Sequence, residues 1–201
     1  MLDVSFTVQG HMLPRAHRAS LAAALQQVLP WLDEASGAAV HRLNVVAGVG
    51  PLALLSLRTR LTLRLPRERA ADADVLSGRT LQVAGQALRL GAAQPRELLP
   101  FGTLYAHFAV AGEGAAANGD EGAFLRQVQQ EMASLGVHGR AICGRHQMLE
   151  DGALGGYGLM LDGLNREAAG RALECGIGTH RLWGCGVFVP HRSAVAVGMP
   201  D

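Results

Sequence analysis

Two kinds of hydrophobic spacing follow one another along the chain, and the same order of elements occurs twice. Alternating apolar and polar residues predict strands, whereas apolar residues three and four apart predict helices. The first half gives a strand over 2–9, a helix from about His17 to Pro30, strands over 40–46 and 55–65, a short helix over 67–76 and a strand over 81–90. This βαββαβ order is the ferredoxin-like plan that RNA-recognition domains share.

A proline-containing stretch, predicted as a linker over 94–103, precedes a second copy of the pattern. That copy gives a strand over 104–110, a loop to Asn118, a helix through Phe124 and Met132, strands over 140–148 and 154–161, a helix over 166–175 and a last strand over 187–189. The predicted fold class is therefore α+β. It has one ferredoxin-like domain over 1–93 and a second over 104–201.

The composition argues against a membrane protein and leaves RNA binding through local basic surfaces possible. No apolar run in the 201 residues is long enough to span a membrane, and the three cysteines are odd in number and scattered. We therefore expect a reduced, cytoplasmic chain with no membrane partner. All 18 basic residues are arginine, and arginine grips phosphate through two parallel hydrogen bonds. A net charge of +1 argues against broad non-specific binding to nucleic acid, although local basic surfaces can still bind RNA.

Glycines near the C-terminus form the most distinctive motif, the glycine loop over residues 176–186. Two Gly-x-Gly pairs surround His180 and Arg181; the glycines are Gly176, Gly178, Gly184 and Gly186. An ordinary turn is the simplest interpretation of such a pair. A dinucleotide fingerprint does not fit, because Arg181 stands where a third glycine is required. Bare backbone amides next to an arginine and a histidine suit a phosphate backbone, so we expect this loop to bind RNA.

Such a paired-glycine loop followed by a strand resembles the RAMP superfamily of CRISPR-associated proteins. Within it, the chain is most similar to the repeat-cutting endoribonucleases of the Cas6 family, in particular their Myxan-subtype branch. The resemblance covers essentially the whole chain, but only the loop is specific. It implies two tandem ferredoxin-like domains and metal-independent cleavage of precursor CRISPR RNA within hairpin repeats. The products would carry a 2′,3′-cyclic phosphate and a 5′-OH.

The same resemblance implies partners: CRISPR repeat RNA and the other subunits of a surveillance complex. It also leaves an alternative, a non-catalytic RAMP subunit that holds the end of the crRNA within such a complex. A tandem ferredoxin-like protein unrelated to RNA is a third possibility. That possibility leaves the arginine and histidine of the glycine loop unexplained.

The predicted third strand carries the clearest basic surface. Strict alternation over 55–65 places leucines on one face and Arg58, Arg60 and Arg64 on the other. A half-buried strand with a solvated polar face is the plain alternative. We expect these three residues, the arginine strip, to contact successive phosphates without selecting sequence.

Histidine supplies the candidate catalytic groups, because imidazole titrates near neutral pH and can move a proton either way. Family members commonly carry a histidine on or just after the first helix. Two residues match that region: His41, just past the first helix, and His17, at the helix start. His180 is expected to contact RNA instead. No lysine occurs, and no tyrosine precedes Tyr105, so arginine would have to stabilise the transition state. No cofactor motif or metal-binding cluster is found.

Overall fold

The structure, a computed structural model, describes residues 1–111 and 118–191. The chain divides into two compact units. Unit 1 comprises Met1–Glu97 with Leu182–Gly184, and unit 2 comprises the rest. The helices are α1 (Arg18–Val28), α2 (Glu121–Ser134) and α3 (Arg166–Cys175). Short 3-10 helices lie at Arg67–Arg69, Ala71–Leu76, Glu150–Gly152 and Arg181–Trp183.

Unit 1 contains nine of the strands. They are β1 (Leu2–Gln9), β2 (Met12–Pro14), β3 (Ala39–Val40), β4 (Val46–Ala47), β5 (Leu52–Leu54), β6 (Arg60–Leu65), β7 (Thr80–Val83), β8 (Gln86–Leu90) and β9 (Gln94–Glu97). The main sheet has the order β3-β6-β1-β8-β7, with β9 also paired to β1, and a small sheet has the order β2-β5-β4. Leucines and valines of the main sheet pack against α1 and the 3-10 helix at Ala71–Leu76.

The alternation along β1 explains its place in the main sheet. Leu2, Val4, Phe6 and Val8 are buried in the core, whereas Asp3, Ser5 and Thr7 face the other side of the sheet. Six antiparallel residue pairs join β1 to β6, with Asp3 directly opposite Arg64. The strand over 2–9 and the helix near His17 are therefore confirmed, and the register brings two charged residues together on the polar face.

Several predictions for unit 1 are wrong in detail. The strand predicted over 40–46 is two short strands, Ala39–Val40 and Val46–Ala47, and His41 lies between them, directly after β3. The single strand over 55–65 begins only at Arg60, and the helix over 67–76 is a pair of 3-10 turns. Ala84 and Gly85, both with positive φ, turn the strand over 81–90 into the hairpin β7–β8. Residues 94–97, predicted as linker, form β9 and pair with β1.

Unit 2 follows the βαββαβ order directly. Its strands are β10 (Leu104–Ala109), β11 (Arg140–Leu149), β12 (Leu154–Asp162) and β13 (Val189–Pro190). Their order in the sheet is β11-β12-β10-β13, and α2 and α3 contribute to one core on the same face. This is the strand order of a ferredoxin-like unit, so the α+β class is confirmed. The predicted loop over 112–117 and everything after 191 lie outside the described residues.

Within the described ranges, no helix combines the length and the apolar character needed to cross a bilayer.

Candidate active site

A cluster of three charged or titratable side chains lies on the polar face of the unit 1 sheet. Asp3 on β1 accepts two hydrogen bonds from Arg64 on β6, from Nε at 2.8 Å and from Nη2 at 3.0 Å. Nε2 of His41 lies 3.2 Å from Oδ1 of the same carboxylate. The backbone amide of His41 bonds to Thr62 O, so the residue continues the β3–β6 pairing and is held in place. One carboxylate thus joins an arginine to a candidate catalytic histidine.

This carboxylate is ionised at neutral pH. Burial by itself would raise the pKa of Asp3, but hydrogen bonds from His41 and Arg64 outweigh burial and hold that pKa well below its ordinary range. The guanidinium of Arg64 is only 1% exposed and therefore requires an anionic partner. Asp3 is that partner, through two hydrogen bonds.

The arginine strip, in contrast, is not one continuous exposed surface. Arg64 is buried against Asp3, Arg58 lies in a turn before β6, and only Arg60 lies on the strand with an exposed side chain. Leu57, which alternation would place in the core, is 96% exposed. The prediction of an exposed strip is therefore wrong for Arg64. An RNA contact by Arg58 and Arg60 stays a prediction.

His17 lies at the start of α1, as predicted, and is only 6% exposed. Its Nδ1 lies 2.7 Å from the carbonyl oxygen of Pro14. A carbonyl oxygen only accepts hydrogen bonds, so Nδ1 donates and the neutral ring presents Nε2 as its acceptor. The two candidate histidines are consequently held through different ring nitrogens, His17 through Nδ1 and His41 through Nε2.

The tip of the glycine loop, Leu182–Gly184, belongs to unit 1 and lies beside both histidine segments. Arg18, next to His17, donates from Nη1 to the carbonyl of Trp183 at 2.9 Å. A Cβ added at Gly184 would lie 3.2 Å from both Arg42 N and Val40 O, the residues on either side of His41. The loop tip therefore approaches the neighbours of both histidines, a contact that hydrophobic spacing alone does not predict.

Within unit 2, the two ends of the glycine loop are closed by their own hydrogen bonds. The amide of Gly178 donates to the Glu131 carboxylate at 2.6 Å, that of Thr179 to Val110 O, and that of Gly186 to Phe108 O. All four loop glycines have positive φ, from 64° to 85°. At Gly186 an added Cβ would overlap the carbonyl oxygen of Ile177, so only glycine fits. The expectation of bare amides at these ends is wrong; these glycines shape the loop.

Arg181 contributes to the same closure. Its guanidinium donates to the carbonyl of Glu174 at 3.1 Å and, weakly, to that of Gly186 at 3.4 Å. His180 is exposed, with φ of 59° and Nδ1 2.8 Å from the Thr179 hydroxyl oxygen. RNA binding by Arg181 and His180 is not tested by these contacts and stays a prediction.

Two residues of this region, Asp3 and Arg18, are not among the site residues predicted from the sequence. Asp3 gives a faint signal, since it is the one acidic residue in the alternating pattern of β1. Its pairing with Arg64 depends on strand register, which spacing does not reveal. Arg18 meets Trp183 across 165 positions of sequence, so no local pattern indicates that contact.

Among the described side chains, no three histidine, cysteine, aspartate or glutamate residues are grouped so that they could hold a metal ion.

Comparison with known proteins places the chain in a family. Residues 2–193 match the Cas6 family of CRISPR proteins. The CRISPR-associated endonuclease Cas6 of Myxococcus xanthus (strain DK1622) is 33% identical over 198 residues, which are 98% of this chain and 84% of that protein.

Solved structures agree on the fold. One of a CRISPR associated protein Cas6 has a TM-score of 0.70 at 11% identity and covers 95% of this chain and 99% of its own. A RAMP protein described as binding different RNA substrates has a TM-score of 0.65 at 11% identity, with coverage of 94% and 98%. The resemblance found in the sequence is thereby confirmed: the chain belongs to the Cas6 family of CRISPR-associated proteins.

Proposed function

We propose that the protein is an endoribonuclease that cleaves precursor CRISPR RNA within its repeats to give mature crRNA. The observation that carries this proposal is the approach of the glycine loop tip to the segments that hold His17 and His41. Family membership supports the same activity, since the Myxococcus relative is described as a CRISPR-associated endonuclease.

In the proposed reaction, the 2′-OH attacks its adjacent phosphate. A bond forms between O2′ and phosphorus, the bond from phosphorus to O5′ breaks, and one proton passes overall from O2′ to O5′. The products are a 2′,3′-cyclic phosphate and a 5′-OH. Because the nucleophile is part of the substrate, the enzyme aligns O2′ with the leaving oxygen and moves the proton. His41 takes up and returns that proton, and His17 is its rival for the role.

Arginines supply the positive charge that a phosphate transition state requires, because the chain has no lysine. From residue 4 to residue 67 there are seven arginines and only two acidic residues, Asp33 and Glu34. Arg42, which is exposed and follows His41, is the best placed to contact the scissile phosphate. Arg58 and Arg60 extend the basic surface and would bind the RNA backbone without selecting sequence.

The proposed substrate is a repeat that folds into a hairpin, cut near the base of its stem, and other subunits of a surveillance complex would retain the product. The chemistry requires no metal ion, since the substrate supplies the nucleophile and imidazole transfers the proton.

A cleavage assay tests the proposal. Purified protein is incubated in EDTA with end-labelled repeat RNA, beside RNA carrying a 2′-deoxy nucleotide at the cut site. We expect cleavage of the first RNA, a product that ends in a cyclic phosphate, and no cleavage of the second. Cleavage of the deoxy substrate would contradict the internal nucleophile. Binding without cleavage of either RNA would favour the non-catalytic subunit that holds the crRNA end.

A further inference from the structure

The carboxylate of Asp3 is placed to control which nitrogen of His41 carries a proton. It lies on β1, His41 follows β3, and Arg64 on β6 lies between those strands, so all three side chains share one face of the sheet. Oδ1 of Asp3 accepts a hydrogen bond from Arg64 Nε at 2.8 Å and lies 3.2 Å from His41 Nε2. Oδ2 accepts a second hydrogen bond, from Arg64 Nη2 at 3.0 Å. Two hydrogen bonds from Arg64 therefore fix the orientation of the carboxylate that contacts the imidazole of His41.

We propose that Asp3 is a positioning residue that holds the proton of His41 on Nε2 and thereby assigns Nδ1 as the nitrogen that exchanges a proton with RNA. This inference rests on the proposed function, because it takes His41 as the residue that moves the proton.

The chemistry of the three groups supports this assignment. An ionised carboxylate only accepts hydrogen bonds, so a ring nitrogen that contacts it must donate. Arg64, at 1% exposure, keeps Asp3 ionised, and Arg96 lies opposite Asp3 in the pairing of β9 with β1, which adds a second positive charge on that side. No acidic residue occupies the positions paired with Asp3 on β6 or β9. A neutral His41 in this setting carries its proton on Nε2.

The consequence for the reaction is specific. Nδ1 of His41 removes the proton from the 2′-OH as O2′ bonds to phosphorus, and the ring is then protonated on both nitrogens. Asp3 stabilises that cation, and Nδ1 returns the proton to O5′ as the bond from phosphorus to O5′ breaks. Asp3 itself stays ionised and does not touch the RNA. His17, whose Nδ1 is bonded to Pro14 O, would have to act through Nε2.

The first test needs no RNA. Nitrogen-15 NMR of the imidazole side chains distinguishes the two neutral tautomers, and His41→Ala identifies the His41 signals by their disappearance. Above the pH at which the ring titrates, we expect Nε2 to carry the proton and Nδ1 to carry none. Predominance of the Nδ1–H tautomer in the wild-type protein would overturn the assignment, whatever the protein does to RNA.

Asp3→Asn is the second test. An amide oxygen in the place of Oδ1 can still accept from His41, whereas one in the place of Oδ2 leaves the NH₂ group facing the ring. In either orientation the protonated ring loses the negative charge that stabilises it. We expect cleavage to be about 10²–10⁴-fold slower, because general acid–base catalysis contributes about that much to the rate. A carboxylate-to-amide change behind the catalytic histidine of a serine protease costs about 10⁴-fold, the upper end of this range. RNA affinity should be unchanged, and the His41 ring should titrate at lower pH than in the wild type.

Asp162→Asn is the matched control, because Asp162 is also a partly buried aspartate that accepts hydrogen bonds from an arginine and a threonine. It should leave the His41 spectrum and the cleavage rate unchanged. If Asp3→Asn slows cleavage but alters neither the tautomer nor the pH–rate profile, Asp3 is only structural and the proposal fails. If the wild type shows the Nε2–H tautomer but never cleaves repeat RNA, the proposed function fails instead, and with it the catalytic part of this inference.

Discussion

Gly184→Ala tests whether the glycine loop tip must approach the His41 segment. Gly184 has φ of 76° and is buried, and an added Cβ would lie 3.2 Å from Arg42 N, 3.2 Å from Val40 O and 3.3 Å from Arg18 Nη1. Two of these neighbours are backbone atoms of a segment paired to β6, so they cannot simply rotate away. The loop tip must therefore move outward by a few tenths of an ångström.

Gly78→Ala separates that displacement from backbone strain. Gly78 belongs to the same unit, has φ of 74°, and has nothing within 4 Å of its added Cβ. A left-handed conformation costs a residue with a Cβ about 1–2 kcal/mol, so both variants should lose about that much unfolding free energy. Only Gly184→Ala shifts the loop relative to the site. Since a 1 Å misplacement can cost about 10²-fold in rate, we expect a shift of this size to slow cleavage by about 10-fold.

The measurements are urea unfolding and single-turnover cleavage of labelled repeat RNA, with both variants and the wild type in the same buffer. Single turnover reports the chemical step even when product release is slow. Equal cleavage rates for Gly184→Ala and Gly78→Ala would refute the idea that the loop tip positions the catalytic segment. A large loss of stability confined to Gly184→Ala would show that the contact serves folding instead.

Three further predictions concern the other charged and titratable side chains of unit 1. His41→Ala should bind repeat RNA normally and cleave it about 10²–10⁴-fold more slowly; normal cleavage by this variant, with His17→Ala inactive, would make His17 the proton carrier. Replacing Arg58 and Arg60 together with Gln should weaken binding to RNAs of different sequence about equally and flatten the salt dependence, and selective loss for one repeat would contradict a backbone role. Because the pKa of Asp3 is lower in the folded protein than in the unfolded chain, its ionised carboxylate stabilises the fold at pH values above the ordinary carboxyl pKa near 4. This stabilisation is lost progressively as the pH falls below that ordinary value towards the lowered pKa of the folded state. Urea unfolding from pH 7 to pH 3 should therefore show a smaller acid-induced loss in Asp3→Asn than in the wild type.

Helix α2 and strand β1 were predictable from the sequence. Helix α2 shows why: Phe124, Val128 and Met132 recur at four-residue spacing, and all three are buried. Strand β1 alternates throughout its eight residues, and each apolar member is buried. In both elements the local pattern and the tertiary environment agree, so spacing alone was enough.

The break before β6 was not predictable in this way, because the alternation continues through it. Thr59 is fully buried there; its hydroxyl donates to Asn44 O at 2.8 Å and accepts from the amide of Ser56 at 3.0 Å. These bonds form a turn without a glycine or a proline to mark it, and Leu57 is left in solvent. The Asp3–Arg64 pair was missed for a related reason. It depends on the register between two strands that are far apart in sequence, and hydrophobic spacing carries no information about register.

The composition of unit 1 has a consequence for how the protein is made. Its last three residues, Leu182–Gly184, come from much later in the sequence than the rest, and Leu182 packs against the core that the first 90 residues build. A ribosome releases the chain from its N-terminus, so earlier segments can begin to fold while later ones are still being synthesised. The sheet that holds His41 can form early, but its loop tip arrives only after residue 184 has emerged. The surroundings of both histidines are therefore completed only once the glycine loop has been translated, and a nascent chain stalled before that point would lack the finished site.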